Sequence, residues 1–120
     1  MIFFELFSNA PEIVGVPAEQ ALFRAGEHGD AMYVLIRGSA DVVVGERRVE
    51  VLQPGDIVGE MSLISPGPRS ATVVACEDSA FIAIDEARFK ALLREAPDFA
   101  LKVMRTLTER LRRTNAHLSA

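Results

Sequence analysis

Short apolar runs alternate with turn residues from Glu12 to about residue 84. The runs are rich in β-branched and aromatic side chains, and Gly, Pro or Asp stands in most of the segments between them. They lie at residues 13–16, 21–24, 32–36, 40–44, 48–52, 71–76 and 81–84. Repeated short strands with turn signals between them predict an antiparallel sandwich or barrel.

After the last of these runs the spacing of apolar residues becomes helical. Asp85 is a suitable N-cap for a helix over residues 86–95, in which Phe89, Leu92 and Leu93 share one face. The chain is therefore predicted to leave the sheets through a capped helix.

A second, longer helix is expected after Pro97, from Asp98 to about Leu118. Its apolar residues form a predicted stripe at Val103, Met104, Leu107, Leu111 and Leu118. The stripe is consistent with simple packing against the β-structure. It also leaves open a role in capping a ligand, in transmitting binding or in pairing two subunits.

Residues 58–73 interrupt the strand pattern with features of an anion site. Gly59 allows close approach of the backbone to a ligand, and residues 60–64 are long enough for one helical turn with unpaired N–H groups at its start. Pro68 then fixes the backbone just before Arg69, whose guanidinium suits a two-point contact with phosphate. The stretch is a candidate phosphate cassette.

Each of these residues also has an ordinary interpretation. Glu60 and Arg69 alone would be solvated surface charges or a weak ion pair, and Gly59 an ordinary turn glycine. Their ordered combination at this spacing favours ligand binding over those separate explanations.

The length and composition indicate one globular domain over residues 1–120. We divide it into an N-terminal segment 1–11, a β-barrel 12–85 that contains the cassette 58–73, and C-terminal helices 86–118. The chain is 49% hydrophobic and 25% charged, which is ordinary for a globular protein. The apolar residues 1–7 are consistent with a short amphipathic helix.

Net charge and cysteine content narrow the functional classes. A formal net charge of -4 argues against a general nucleic-acid surface, so an anionic ligand must be held locally. The single cysteine, Cys76, rules out an intrachain disulfide, and no segment has the form of a signal peptide or a membrane span. We expect a cytoplasmic protein without membrane contact.

Neither a metal site nor catalysis has support in the sequence. The two histidines, His28 and His117, are far apart and have no partner at ligand spacing. No Ser-His-Asp set or activated cysteine stands out either. We therefore expect no catalytic residue, no metal and no enzymatic activity.

The cassette resembles that of cyclic nucleotide-binding domains, which occur in cAMP-dependent kinase regulatory subunits, cyclic nucleotide-gated channels and catabolite-activator-like regulators. Gly59-Glu60 and Pro68-Arg69-Ser70-Ala71 match the family pattern in order and residue type. The turn residues Gly26, Gly29-Asp30, Gly38 and Pro54-Gly55-Asp56 also fall at family positions, so the resemblance covers residues 12–111.

The resemblance implies a jelly-roll-like β-barrel, a short cassette helix between strands and two C-terminal helices. It also implies the role of each site residue. Glu60 would accept a hydrogen bond from the ribose 2′-hydroxyl, and Arg69 would pair with the cyclic phosphate. Backbone groups near Ser62 and Ser70 would complete the cradle, although Ser62 stands where the family commonly has Ala. The implied ligand-binding set is Gly59, Glu60, Met61, Ser62, Arg69 and Ser70.

The function implied by the resemblance is a regulatory sensor that binds a 3′,5′-cyclic nucleotide and signals through its C-terminal helices. In the family, Thr directly after the arginine is associated with cGMP and Ala with cAMP; Ser70 stands at this position and offers a hydroxyl without deciding between them. We modestly favour cAMP over cGMP, and no further cofactor is expected. The expected partners are the nucleotide and either a second copy through the C-terminal helix or an unidentified output protein. The alternative is a non-catalytic interaction or dimerisation module that keeps the fold without nucleotide dependence. DNA binding is not expected, because no helix-turn-helix follows the long helix.

Overall fold

The computed structural model describes residues 12–65 and 67–119, with side chains as far as Thr114. The N-terminal segment 1–11, including the helix expected at residues 1–7, lies outside the described residues, as does Pro66 of the cassette.

The strands form two four-stranded antiparallel sheets. In chain order they are β1 (Glu12–Val16), β2 (Ala21–Phe23), β3 (Ala31–Arg37), β4 (Ala40–Val44), β5 (Arg47–Leu52), β6 (Ile57–Val58), β7 (Thr72–Ala75) and β8 (Ser79–Asp85). The first sheet has the order β1-β8-β3-β6 and the second the order β2-β7-β4-β5. The predicted jelly-roll-like fold is confirmed, as two packed sheets rather than one closed barrel.

Helices occupy the predicted places. They are α1 (Met61–Ile64), α2 (Glu86–Glu95) and α3 (Pro97–Ser119). Asp85 caps α2 as expected, because its side chain accepts a hydrogen bond from the backbone N–H of Arg88 at 2.8 Å. The short α1 is the cassette helix between strands.

The central strands of the first sheet, β8 and β3, are buried on both faces. One face packs against the second sheet, and its residues on that side include Leu35, Val58 and Phe81. The other face carries Met32, Val34, Ile57, Ile82 and Ile84, which contact Phe89, Leu92, Ala96, Phe99 and Val103 of the helical region. The alternation of Val34 and Leu35 between these two cores follows from the two-residue period of a strand. The domain therefore has three layers, with α2 and α3 packed on the first sheet.

Strand β6 was not predicted as a separate strand. Its two residues, Ile57 and Val58, pair with Val34 and Tyr33 of β3, and both are buried. A strand of two residues is too short to show an alternating pattern, and the sequence pattern places Val58 in the cassette instead. The cassette thus starts from a residue fixed in the first sheet.

Packing against the β-structure accounts for only part of the predicted stripe on the long helix. Val103 is buried and Leu107 packs against the same core, whereas Met104 and Leu111 are 56% and 60% exposed. Met104 directly follows Val103, and adjacent residues are about 100° apart around the helix axis, so Met104 lies off the buried face. Only the face with Val103 and Leu107 meets the sheet, and the side chain of Leu118 lies outside the described part.

Candidate functional site

The backbone around Arg69 is fixed by the loop between β2 and β3. The N–H of Arg69 donates to the carbonyl oxygen of Glu27 at 2.8 Å, and the N–H of Gly26 donates to the carbonyl oxygen of Arg69 at 2.8 Å. Pro68 forms an isolated β-bridge with His28. Two segments about 40 residues apart in the chain therefore hold the arginine between them.

The side chain of Arg69 is buried, with 6% of its surface exposed. Its Nη1 donates to the carbonyl oxygen of Gly59 and to Oγ of Ser62, both at 3.1 Å, and its Nη2 donates to the carbonyl oxygen of Ala31 at 2.7 Å. The guanidinium carbon lies 4.1 Å from the ring centroid of Phe23. Its Nε–H is buried and has no hydrogen-bond partner among the residues described.

Two glycines leave the space that this guanidinium occupies. A Cβ at Gly29 would lie 2.1 Å from Nε of Arg69, and a Cβ at Gly59 would lie 2.6 Å from its Nη1. Gly59 also has φ +79°, in the left-handed region that glycine adopts most readily. The predicted close backbone approach at Gly59 is thus an approach to Arg69 itself.

Glu60 stands immediately before α1 and is 1% exposed. Its Oε1 accepts a hydrogen bond from Nη1 of Arg110. Its Oε2 is buried and lacks a hydrogen-bond partner within the described chain. Glu60 is therefore a buried carboxylate with one oxygen paired and one unpaired.

Arg110 of α3 joins Glu60 to the second sheet. Its Nε and Nη2 donate to Oε1 and Oε2 of Glu50 on β5 at 3.0 and 3.1 Å, and Nη2 also donates to the carbonyl oxygen of Ile57 at 2.7 Å. Nη1 of Arg113, one turn further along α3, lies 3.2 Å from Oε1 of Glu50. Two carboxylates and two guanidinium groups thus form one network at the junction of three elements.

The charges in this network stabilise one another. Burial raises the pKa of Glu50, but the hydrogen bond and charge of Arg110, together with Arg113, outweigh it and place the pKa below its ordinary value. Burial lowers the pKa of Arg110, but the two carboxylates outweigh it and raise the pKa above its ordinary value. At neutral pH, Glu50 and Arg110 are both charged.

Arg69 and Tyr33 are affected mainly by burial. Burial lowers the pKa of Arg69, with Tyr33, Asp30, Glu27 and Glu60 acting in the opposite direction. It raises the pKa of Tyr33, and the charge of Arg69 partly offsets that. The guanidinium is thus a desolvated cation, in which state its interaction with an anion is stronger than in water.

All six residues predicted for the site line one pocket. They are Gly59, Glu60, Met61, Ser62, Arg69 and Ser70. The rest of the wall is mostly apolar or small, with Phe23, Val42, Val58, Ser65, Gly67, Pro68 and Ala71, and Arg110 of α3 also lines it. A pocket with an apolar wall and a few polar groups at one end is a usual form of a small-molecule site.

The backbone N–H and the side-chain hydroxyl of Ser62 both have partners in this structure. Its N–H points to the carbonyl oxygen of Gly59 at 3.3 Å, which closes the turn into α1, while its hydroxyl oxygen accepts a hydrogen bond from Arg69. The hydroxyl, which the family's common alanine would not offer, therefore positions the guanidinium.

Sequence reasoning missed Arg110 and Glu50. They lie 50 and 10 positions from Glu60 on other elements, and no local motif joins them. One signal was present, because Arg110 falls three and seven residues after Leu107 and Val103, on the helix face that packs inward. A charged residue on a buried face needs a partner.

Two further properties bear on the class of site. Over residues 12–65 and 67–119 there is no group of three or more His, Cys, Asp or Glu side chains placed to hold a metal ion. In the same part of the chain, none of the helices is long and apolar enough to cross a membrane.

Comparison with known proteins identifies the family. The family profile described as cyclic nucleotide-binding domain matches residues 13–96. The cyclic AMP receptor protein of Thermus thermophilus is 35% identical over 107 residues, which are 85% of this chain and 50% of that protein. The chain thus spans about half the length of that relative.

Solved structures agree in fold. The catabolite activator protein of Thermus thermophilus superimposes with a TM-score of 0.83 at 30% identity, over 98% of this chain and 57% of that one. A chain from work on a cyclic-GMP-dependent signalling pathway in bacterial phytopathogenesis gives a TM-score of 0.77 at 28% identity, over 91% of each chain. The profile match, the fold and the residues gathered in the pocket lead to one conclusion: the chain belongs to the cyclic nucleotide-binding domain family.

Proposed function

We propose that this domain binds a 3′,5′-cyclic nucleotide, with cAMP favoured over cGMP, and acts as a non-catalytic cytoplasmic sensor. One observation carries the proposal. Two residues that line the pocket each carry a buried polar atom without a partner in the described chain: Arg69 has the donor Nε, and Glu60 has the acceptor Oε2. Leaving a buried polar atom unpaired costs about 1–3 kcal/mol, so such a pair indicates a ligand that satisfies both.

A cyclic nucleotide has the complementary groups. Its singly charged phosphodiester would accept from Arg69, and the next residue, Ser70, is exposed, lines the same pocket and carries a hydroxyl. Its ribose 2′-hydroxyl would donate to Oε2 of Glu60. Hydrogen bonds of these kinds to charged groups contribute about 1.5–3 kcal/mol each.

The preference for cAMP over cGMP rests on fewer observations than nucleotide binding itself. Ser70 offers a hydroxyl at the position where, by family resemblance, the residue type is associated with the base. One relative is named as a cyclic AMP receptor, and one structural neighbour comes from a cyclic-GMP pathway. We favour cAMP, and a direct comparison of the two nucleotides decides it.

The output is proposed to pass through α3. The carboxylate that would receive the ribose is the one that Arg110 of α3 already contacts. A ligand bound at Glu60 therefore acts on Arg110, the side chain that attaches α3 at this point. Binding changes how strongly Arg110 attaches the helix.

An interaction or dimerisation module without nucleotide dependence is the second candidate. It is favoured by Leu101, Met104 and Leu111, which are 41%, 56% and 60% exposed on α3. Their spacing of three and seven residues suits pairing with a second helix. The same surface also serves a nucleotide sensor that dimerises, so nucleotide binding is what separates the two candidates.

The test is calorimetric titration of the protein with cAMP and, separately, with cGMP, on the wild type and on Arg69→Ala. We expect saturable binding of cAMP by the wild type and a loss of at least about tenfold in affinity for the variant, because about 1.4 kcal/mol corresponds to one decade. Arg48→Ala is the matched control, since the side chain of Arg48 is 63% exposed and its ion pair with Asp41 is long, at 3.8 Å.

Thermal melts of both variants establish that they are folded before titration. Equal cAMP affinity of Arg69→Ala and the wild type would overturn the assignment of Arg69. Binding of neither nucleotide by the folded wild type would overturn the sensor proposal and leave the interaction module.

A further inference from the structure

Arg110 is held mainly by a residue that does not line the pocket. An arginine side chain has five N–H groups. Four of those on Arg110 have partners in the described chain: two donate to the two oxygens of Glu50, one to the carbonyl oxygen of Ile57 and one to Glu60. Glu50 therefore receives the two-point contact, and Glu60 receives a single contact.

The unequal distribution of the hydrogen bonds of Arg110 determines which oxygen of Glu60 is paired. Because Nε and Nη2 of Arg110 are directed at Glu50, only Nη1 reaches Glu60, and it takes Oε1. The second oxygen, Oε2, stays unpaired in the described chain. The oxygen proposed to read the ribose is thus left available by the way in which Arg110 is oriented.

We infer that Glu50 is a positioning residue that gives the nucleotide site its selectivity for a ribose 2′-hydroxyl, by keeping Arg110 from pairing with both oxygens of Glu60. The inference rests on the proposed function, since it concerns the same pocket. Glu50 acts through Arg110 and is not among the residues that line the pocket.

Two carboxylates, Glu50 and Glu60, compete for the single guanidinium of Arg110. A planar guanidinium and a carboxylate prefer a two-point contact. If the charge of Glu50 is removed, Glu60 is the remaining carboxylate bonded to Arg110, and its second oxygen is unpaired. The guanidinium then gains most by turning to both oxygens of Glu60, which removes the acceptor for the 2′-hydroxyl.

Arg113 does not substitute for Arg110 in this role. Its side chain is 51% exposed and contacts Glu50 on the oxygen that Arg110 also uses. Removing Arg113 leaves the two-point contact between Arg110 and Glu50 in place, so it provides a matched control for loss of an ion pair to Glu50.

The experiment measures dissociation constants for cAMP and for 2′-deoxy-cAMP on each variant. For the wild type we expect cAMP to bind at least about tenfold more tightly than the deoxy analogue, the effect of one hydrogen bond to a charged group. In Glu50→Gln we expect this ratio to fall by at least about threefold. In Arg113→Gln we expect the ratio of the wild type.

A double variant separates positioning from a general structural effect. In an Arg110→Gln background no guanidinium is left to turn, so adding Glu50→Gln should leave the ratio unchanged. A merely structural role of Glu50 would lower affinity for both nucleotides equally in either background. Circular dichroism and melting curves verify folding of each variant.

The outcomes are distinct. An unchanged or increased ratio in Glu50→Gln, with a wild type that prefers cAMP, would overturn this inference and leave the proposed function intact. A change on adding Glu50→Gln to Arg110→Gln would overturn it as well. No binding of either nucleotide by the wild type would overturn the proposed function, and the inference with it.

Discussion

At the scale of single residues, Arg69 is surrounded by backbone segments, and its own side chain is hydrogen-bonded to them. Its guanidinium donates hydrogen bonds to the carbonyl oxygen of Gly59 in the cassette and to that of Ala31 in β3 of the first sheet. Gly29 borders it so closely that a Cβ there would lie within 2.1–2.6 Å of three of its atoms. The orientation of Arg69, which is proposed to bind the phosphate, therefore depends in part on the absence of a side-chain methyl group at Gly29.

Gly29→Ala tests this close approach. We expect the added methyl group to displace the Arg69 guanidinium, to lower the free energy of unfolding by about 1–3 kcal/mol, as overpacking does, and to weaken cAMP binding by at least about tenfold. Urea unfolding and calorimetric titration measure the two effects.

Gly15→Ala is the control for that substitution. Gly15 lies in β1, a methyl group added there would have nothing within 4 Å, and neither glycine has a positive φ. We expect its unfolding free energy to change by no more than about 0.5 kcal/mol. If Gly29→Ala binds cAMP as the wild type does, the close packing around Arg69 is not required for binding.

The residues of the cassette were predictable because they lie close together in the chain. Gly59, Glu60 and Arg69 span 11 positions, so their order and spacing carry the pattern. Glu50 and Arg110 are 60 positions apart and meet only because β5 and α3 are brought together by the packing of the layers. No spacing rule reports such a contact.

At the scale of secondary-structure elements, the network of Glu50, Glu60, Arg110 and Arg113 ties α3 to β5 and to the start of α1. Charged hydrogen bonds join the three elements at this point. The same helix is attached further back through Val103 and Phe99 in the core. Its attachment therefore has an apolar part and a charged part.

The contribution of this charged network to the free energy of unfolding should decrease as the pH falls. Glu50 has a pKa below its ordinary value near 4.5 in the folded state, so its contribution to stability is present above about that pH. The contribution is lost as pH falls through the lowered pKa of the folded state. We expect Glu50→Gln to be less stable than the wild type by about 1.5–3 kcal/mol at pH 7 and by progressively less towards pH 3.

Urea unfolding of both proteins across this pH range measures the difference. Glu86→Gln is the control, because its pair with Lys90 lies at 2.9 Å on the surface with both side chains more than 60% exposed, where such a pair contributes little. A difference between wild type and Glu50→Gln that stays constant from pH 7 to pH 3 would contradict the charge network.

The elements themselves were mostly predictable, for local reasons. Helix α2 has a capping aspartate and a clear apolar face, and most strands alternate or carry β-branched residues. Strand β6 escaped prediction because two residues show no period. The apolar stripe of α3 did not show which of its residues are buried, and Met104, directly after the buried Val103, is exposed. The sheet on which a helix packs decides which of the apolar residues of that helix face inward.

At the scale of the whole molecule, the three-layer arrangement creates the pocket. The cassette lies between β6 of the first sheet and β7 of the second, and α3 brings Arg110 to the opening. The general fold followed from the sequence because seven short apolar runs followed by two helices permit few architectures. The way in which α3 reaches the site did not, since it depends on the packing of Phe99 and Val103 against the first sheet.

The most direct test of the account is a crystal structure of the protein with bound cAMP. We predict that the ribose 2′-hydroxyl donates to Oε2 of Glu60 at a hydrogen-bond distance of about 2.5–3.0 Å and that a phosphate oxygen accepts from Nε of Arg69. Arg110 should keep its contacts with Glu50 and with Oε1 of Glu60. A nucleotide bound elsewhere, or bound in this pocket without contact to Glu60 and Arg69, would contradict the account.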